Sequence, residues 1–334
     1  DLLTSDIHSI VYSTILHREL QVFLEQNLHK SLESGKITIS KDGRRKMLVQ
    51  KRTDLAVEAR ELYQETARRE PEGVDWEETS QDGIGLTRVH VRNAQGARAL
   101  DKPVGTYVTA DLGERWERDE QTIAAAAHLL ARELAALLPP SPQSVLVVGL
   151  GNRHITADAL GPLAVEKVIV TRHLKDSMPD AFRQFSRVSA ISPGVLGLTG
   201  VETGEIVQGV CQRVGPDAII AIDALASRRL SRLCRTVQLS NTGITPGGGI
   251  GSGRTALDKA TLHAPVIAMG VPTVVDAYTL AADLWEQAGG ALPQEEALLP
   301  DSAMVVTPKD IDQLMHKSAK VVGYAINMAL HQDL

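Results

Sequence analysis

Two aspartates of this chain each follow an apolar run, a setting in which a carboxylate can move protons. Residues 145–148 (VLVV) lead into Gly149, and Asp158 comes nine positions after that glycine. Residues 218–222 (AIIAI) run directly into Asp223, 65 positions beyond Asp158. Paired carboxylates can do acid and base work on a water, or hold a divalent metal. The plainer reading is that each acid caps a helix or a turn, because acids are common at helix starts. Spacing alone leaves both readings open.

Local sequence indicates the elements that position these acids. Short apolar, β-branched runs read as strands buried on both faces, the kind found in a parallel sheet. Gly149 and Gly151 end the first strand with backbone freedom that a side chain would forbid. Thr156 is expected to cap a helix, with Asp158 in its first turn. Open α/β sheets bind ligands outside the carboxyl ends of their strands, so both acids are expected at one sheet edge.

Composition bounds the rest. The chain has 334 residues, 43% hydrophobic, 23% charged and only 3% aromatic. That fits a globular protein with an aliphatic core, in one large or two ordinary domains. A net charge of −6 argues against direct nucleic-acid binding. No apolar run is long enough for a membrane span. No signal peptide is visible, and the opening residue, Asp1 rather than Met, suggests a natural start further upstream. Two cysteines, Cys211 and Cys234, make no disulfide framework and fit a reducing cytoplasm.

Along the chain, residues 7–28 have a helix-like rhythm, and 31–50 form a polar tail carrying Lys41, Arg44, Arg45 and Lys46. A helix is expected over about 52–70, capped by Thr53 or Asp54, and a loop over 71–82. Strands are expected at 87–91, 105–110, 167–170, 236–239 and 265–269. Helices are expected at 117–138, 159–166, 206–214, 277–287 and from Pro308 to about Leu330. Residues 192–204, 246–253 and 289–300 read as loops.

Other motifs carry less. Gly149-x-Gly151 lacks the third glycine of a dinucleotide fingerprint, since His154 stands there. GGIGSGRT at 248–255 has the outline of a phosphate loop, but Arg254 replaces its lysine, so a flexible substrate-facing loop is the better reading. His154 and His263 are the two histidines that could reach the acid pair. Cys234 has no histidine nearby and reads as a small buried hydrophobe. No GxSxG elbow is present.

Several segments, in order, resemble one family. They are RTDLAVEARE (52–61), KPVGTYVTADLG (102–113), VLVVGLGNRHITADALGP (145–162), SPGVLGLTGVETGEIVQGV (192–210), PDAIIAIDALASRRLSRLCRTVQLSNTGITPGGGIGSGR (216–254), APVIAMGVPTVVDAYTL (264–280) and TPKDIDQL (307–314). Together they resemble the germination proteases of spore-forming bacteria, over about residues 52–334. The resemblance implies an α/β fold with a mostly parallel central sheet and helices on both faces, similar to the hydrogenase maturation proteases. It implies an endopeptidase that begins the degradation of small acid-soluble, DNA-coating spore proteins at germination, in the cytoplasm of the forespore and spore core. It implies a homotetramer made as a zymogen that cuts its own amino-terminal segment.

The two aspartates regarded as catalytic in that family fall on Asp158 and Asp223. The family cuts after an acid, before a hydrophobic residue and Ala, and Asp54-Leu55-Ala56 has that form. The resemblance therefore places self-cleavage between Asp54 and Leu55, with residues 1–54 as an amino-terminal extension and 55–334 as a single peptidase domain. Family propeptides are short, so the 54 residues here are a departure. Reading an acid before the cut needs positive charge, and Arg228, Arg229, Arg232 and Arg254 are the candidates. No cofactor is expected, with a divalent metal at Asp158 and Asp223 as the alternative. The alternative function is a metal-dependent maturation-type protease on the same fold.

Overall fold

The computed structural model describes the backbone of residues 37–39 and 45–47, and residues 51–246, 255–290 and 304–331. The helix-like stretch at 7–28 lies outside them, as do most of the loop at 289–300 and residues 248–254 of the glycine-rich loop. In the tail, β1 (Ile37–Ile39) and β2 (Arg45–Met47) pair antiparallel as a two-stranded ladder.

Residues 144–149 make the central strand. Val145 to Val148 are fully buried, and alternate residues face opposite layers. Val145 and Val147 join one core; Leu146 and Val148 join the other. This strand, β6 (Ser144–Gly149), runs parallel to β7 (Arg187–Ile191) on one side and β8 (Ala218–Ser227) on the other. β8 in turn runs parallel to β10 (Val266–Asp276). The expected doubly buried parallel strands are thus all present.

Beyond β10 the sheet becomes antiparallel, through β9 (Thr236–Ser240), β5 (Gly105–Asp111), β4 (Ile84–Val91) and β3 (Val74–Gln81). The order is β3-β4-β5-β9-β10-β8-β6-β7, and the short β11 (Val305–Val306) pairs with β10. The α/β class stands, with a sheet that is mixed. β3 corrects the loop expected at 71–82. Its side chains (VDWEETSQ) are nearly all exposed, so no apolar alternation marks it. Charged residues on an edge strand also discourage pairing with another chain. Residues 167–170 likewise form no strand; the parallel edge is β7 instead.

Helices cover both faces. α3 (Glu120–Leu137) starts where Asp119 accepts the backbone N–H groups of Gln121 and Thr122. Its buried Ile123, Ala126, Ala127, Leu130 and Leu134 follow helical spacing. It packs with α10 (Ile311–Leu330), which buries Met315, Ala319, Val322 and Ile326 against the same core. The short α4 (Leu160–Val165) joins that layer. The opposite layer holds α7 (Thr203–Val214), whose Val207 and Cys211 pack on Leu146 and Ile219. There too lies α1 (Ala56–Ala67), beside α2 (Ala94–Leu100). Three short helices lie in the connections: α5 (Arg172–Ser177), α6 (Leu196–Thr199) and α8 (Lys259–Leu262). α9 (Ala277–Gln287) continues directly from β10.

Two helix starts differ from expectation. α1 begins at Ala56, and neither Thr53 nor Asp54 caps it; Thr53 accepts the Leu55 N–H instead. α10 begins at Ile311, three positions after Pro308.

Candidate active site

The loop after β6 carries Asp158. The Leu150 N–H donates to the Ile222 carbonyl at 2.8 Å, which extends the ladder and brings Leu150 level with Asp223. Gly151, next in the chain, has φ +106°, and a Cβ there would lie 2.1 Å from the Asp158 carbonyl oxygen. Only glycine lets the loop fold back this tightly. Asp158 closes a 3₁₀ turn, Thr156–Asp158, and precedes the first residue of α4. So Asp158 lies in the first turn of a 3₁₀ helix rather than of an α-helix, and Thr156 does not cap it. The Asp158 N–H donates to the Ile155 carbonyl at 2.8 Å. One carboxylate oxygen, Oδ2, accepts the Asn152 N–H at 2.7 Å. The Thr273 hydroxyl of β10 donates to the Ala157 carbonyl at 2.6 Å, which ties the turn to the sheet.

Asp223 lies within β8, only 5% exposed. Its Oδ1 accepts the N–H of Ala224 at 2.9 Å. Gly270 of β10 pairs with Asp223 on one side and with Gln238 of β9 on the other. Asp223, Gly270 and Gln238 therefore form one row across the sheet. Residues in such a row share a face. Asp223 thus lies inside β8 rather than at its end, level with the carboxyl end of the neighbouring parallel β6, whose following loop carries Asp158.

The segment before α1 lies against this edge. Asp54 exchanges bonds with Ala226: its N–H donates to the Ala226 carbonyl at 2.8 Å, and its Oδ2 accepts the Ala226 N–H at 2.7 Å. Gln238 reaches both sides of the next residue. Its Nε2 donates to the Asp54 carbonyl at 3.1 Å, and its Oε1 accepts the Ala56 N–H at 2.7 Å. Leu55 is 0% exposed and packs with Val57, Leu225 and Ile244. Burial pushes the Asp54 carboxyl above its ordinary range, against the pull of Lys102 and of the Ala226 N–H. Lys102 donates to the Thr53 carbonyl at 3.1 Å. Upstream, Lys51 pairs with Asp283 at 2.7 Å and Glu286 at 2.6 Å, and the Arg52 N–H donates to Thr279.

The arginines named as acid readers grip this chain's own acids. Arg228 is buried and pairs with Glu65 at 2.7 Å and Asp283 at 3.0 Å. Arg229 pairs with Glu65 at 3.1 Å, and Arg232 with Glu61 at 2.6 Å. Glu61 and Glu65 lie on α1, and Asp283 on α9. Arg254 lies outside the described residues. Glu58, also on α1, is wholly buried and accepts the backbone N–H groups of Arg228 and Arg229 and the Thr53 hydroxyl. Burial raises its carboxyl above the ordinary value despite those bonds.

Sequence reasoning missed Gln238, Glu58 and Thr273. The one available signal for Gln238 was its place in TVQL, facing away from the core residues Val237 and Leu239. His154 and His263 are both exposed, each on its own loop. Among the described residues, no group of three or more His, Cys, Asp or Glu side chains could hold a metal ion.

Two carboxylates at one sheet edge, under a helix-layered α/β fold, make a candidate hydrolytic centre. The family profile of germination proteases matches residues 52–288. The germination protease of Caldanaerobacter subterraneus is 47% identical over 85% of this chain and 95% of its own length. Those of Clostridium perfringens and Bacillus pumilus are 42% and 37% identical, each over 85% of this chain and over 96% and 94% of their own lengths. A solved [NiFe] hydrogenase maturation protease from Thermococcus kodakarensis is 14% identical, with a TM-score of 0.33, over 58% of this chain and 99% of its own. The chain belongs to the germination protease family, and its activity is that of a protease. Among the described residues, no helix is long and apolar enough to cross a membrane.

Proposed function

We propose that this chain is the endopeptidase that opens the degradation of small acid-soluble spore proteins at germination, with Asp158 and Asp223 as its catalytic pair. The observation that carries the reading is the docking of the Asp158 turn against the strand edge that holds Asp223. One ionised carboxylate takes a proton from water as the water attacks the peptide carbonyl. The other, protonated, gives its proton to the leaving amine. The Asn152 N–H on Asp158 and the Ala224 N–H on Asp223 hold each group in orientation.

Cleavage falls after an acid and before a hydrophobic residue and Ala. Residues 1–54 act as the propeptide of a homotetrameric zymogen in the forespore cytoplasm, and the zymogen cuts itself between Asp54 and Leu55. The burial of Leu55 and the bonds around Asp54 support this reading, because they hold an acidic-hydrophobic-Ala tripeptide against the proposed centre. The main-chain amide of Ala226 meets the acid; Arg228 and Arg229 frame that wall through their pairs with α1.

The test is cleavage of a small acid-soluble spore protein by the full chain and by its Asp158→Asn and Asp223→Asn variants. A single cut at an acidic-hydrophobic-Ala site, lost in both variants, supports the reading. Normal rates in either variant end it. Chelation followed by metal add-back decides against the metal-dependent alternative if activity is unchanged throughout.

A further inference from the structure

The Asp54–Leu55 peptide does not merely lie near the acids; one side chain brackets it. We propose that Gln238 is the positioning residue for self-cleavage, holding the Asp54–Leu55 bond in register over the row that ends at Asp223. This rests on the reading that the chain cuts itself there.

Three observations carry it. First, the Gln238 amide uses both its ends on this one segment. Its N–H meets the carbonyl that a water must attack, and its oxygen fixes the N–H two residues on, at Ala56. A donor on that carbonyl oxygen polarises the bond and stabilises the charge that develops there. Second, Gln238 and Asp223 share a sheet face, with Gly270 between them in the row. Two strand spacings, about 10 Å at the backbone, separate them. Gly270 has no side chain, and the Leu225 side chain, which also packs on Leu55, occupies the space that a Cβ there would fill. Third, neighbouring contacts complete a pocket for each residue of the tripeptide. Ala226 offers its N–H to the acid, and Leu225 and Ile244 take Leu55. The Gln238 oxygen then fixes Ala56, a residue that is itself 0% exposed.

The role differs from plain structural support. Gln238 projects from β9 between Val237 and Leu239, which serve the other core. Its two bonds to this segment fall on either side of Leu55, at the bond to be cut and at the next N–H. Loss of the amide frees the carbonyl to drift, and a misplacement of about 1 Å costs on the order of 100-fold in rate.

The test uses the full chain and three forms: the parent, Gln238→Leu and Gln238→Glu. The rate of appearance of a new terminus at Leu55 is followed by mass spectrometry across pH, beside each form's thermal midpoint. Gln238→Leu is expected to cut on the order of 100-fold slower. Gln238→Glu can donate to the Asp54 carbonyl only when protonated, so its rate relative to the parent rises as pH falls. A merely structural side chain gives no such ratio. If the parent cuts after Asp54 and folded Gln238→Leu cuts as fast, the role of Gln238 is overturned while self-cleavage stands. A Gln238→Glu ratio that is flat with pH also overturns it, and serves as the decisive arm should Gln238→Leu fail to fold. If the parent makes no cut after Asp54, self-cleavage itself falls, and this role with it.

Discussion

Thr273 and Ala157 are joined by a hydrogen bond of 2.6 Å, hydroxyl to carbonyl, that fastens the Asp158 turn to β10. Thr273 is fully buried, and its own carbonyl accepts the Thr307 hydroxyl at 2.9 Å. The position of a candidate catalytic acid thus depends on a strand two places away in the sheet. Thr273→Val keeps the shape and removes the hydroxyl. Stability should fall by about 1 kcal/mol, while peptidase activity falls on the order of 10-fold or more, because the turn loses its register. Thermal melts beside a cleavage assay measure both. Equal, small losses in the two would mean that the bond does not position the site.

Gly151 invites a similar contrast. A methyl at this position meets the Asp158 carbonyl, on a backbone with φ +106°. Gly151→Ala should displace the turn, cost about 1–3 kcal/mol in strain and abolish cleavage. Gly83→Ala is the control: φ there is +79° with no heavy atom near the added carbon. It should cost about 1 kcal/mol and leave cleavage intact. Denaturant midpoints and turnover of the two variants separate strain from loss of the site.

Glu58 should dominate the stability of the wall formed by α1 and the end of β8. Glu58→Ala leaves two main-chain N–H groups and the Thr53 hydroxyl without their acceptor, and removes a charge near the Arg232 guanidinium. We expect a loss of about 3 kcal/mol or more in urea unfolding. Its pH dependence has a definite sign. Burial raises the folded carboxyl above its unfolded value of 4.5, so the folded state holds the proton more tightly. This stabilising contribution is full below pH 4.5 and is lost as pH rises through the folded value. The stability of the parent relative to Glu58→Gln should therefore decline with rising pH over that window. A difference that grows instead would show that the hydrogen bonds outweigh burial.

Cys234 should be inert. It is 1% exposed, and burial, with Asp310 nearby, pushes its thiol up to about 12. Cys211 is buried, and its thiol is raised by the same cause. Maleimide at about pH 8, near the ordinary thiol range, should label neither cysteine in the native protein and both in urea, as intact mass will report. Rapid native labelling of Cys234 would contradict its reading as a small hydrophobe.

The central parallel strands β6, β8 and β10 were legible because each opens on a nearly pure aliphatic run, whereas the parallel edge β7 (RVSAI), with Arg187 and Ser189 in a short stretch, was not. The antiparallel half was legible only in part. β4 largely alternates and β5 is mostly buried, but β3 carries Asp75, Glu77 and Glu78 on an exposed edge, where burial leaves no pattern. The approach of the Asp158 loop to the strand that carries Asp223 could be expected from the two apolar runs alone. The turn that holds Asp158 could not, since its shape comes from a glycine contact and a bond to Thr273, both remote from local propensity. The arginines show the same limit. Cations after an acid-bearing strand suggest acid recognition, yet Arg228, Arg229 and Arg232 are taken by Glu61, Glu65 and Asp283. Those partners are far off in sequence and near only in space.

The contacts of Lys51 and Arg52 govern the fate of the segment upstream of a cut after Asp54. A severed link does not by itself evict that piece. Lys51 still grips Asp283 and Glu286, the Arg52 amide still meets Thr279, and Thr53 still lies under Lys102. Downstream, α1 stays bolted to the body by its glutamates. Departure of the severed piece is then a second clock, slower or faster than bond breaking, and one that added salt speeds up by loosening the lysine's grip.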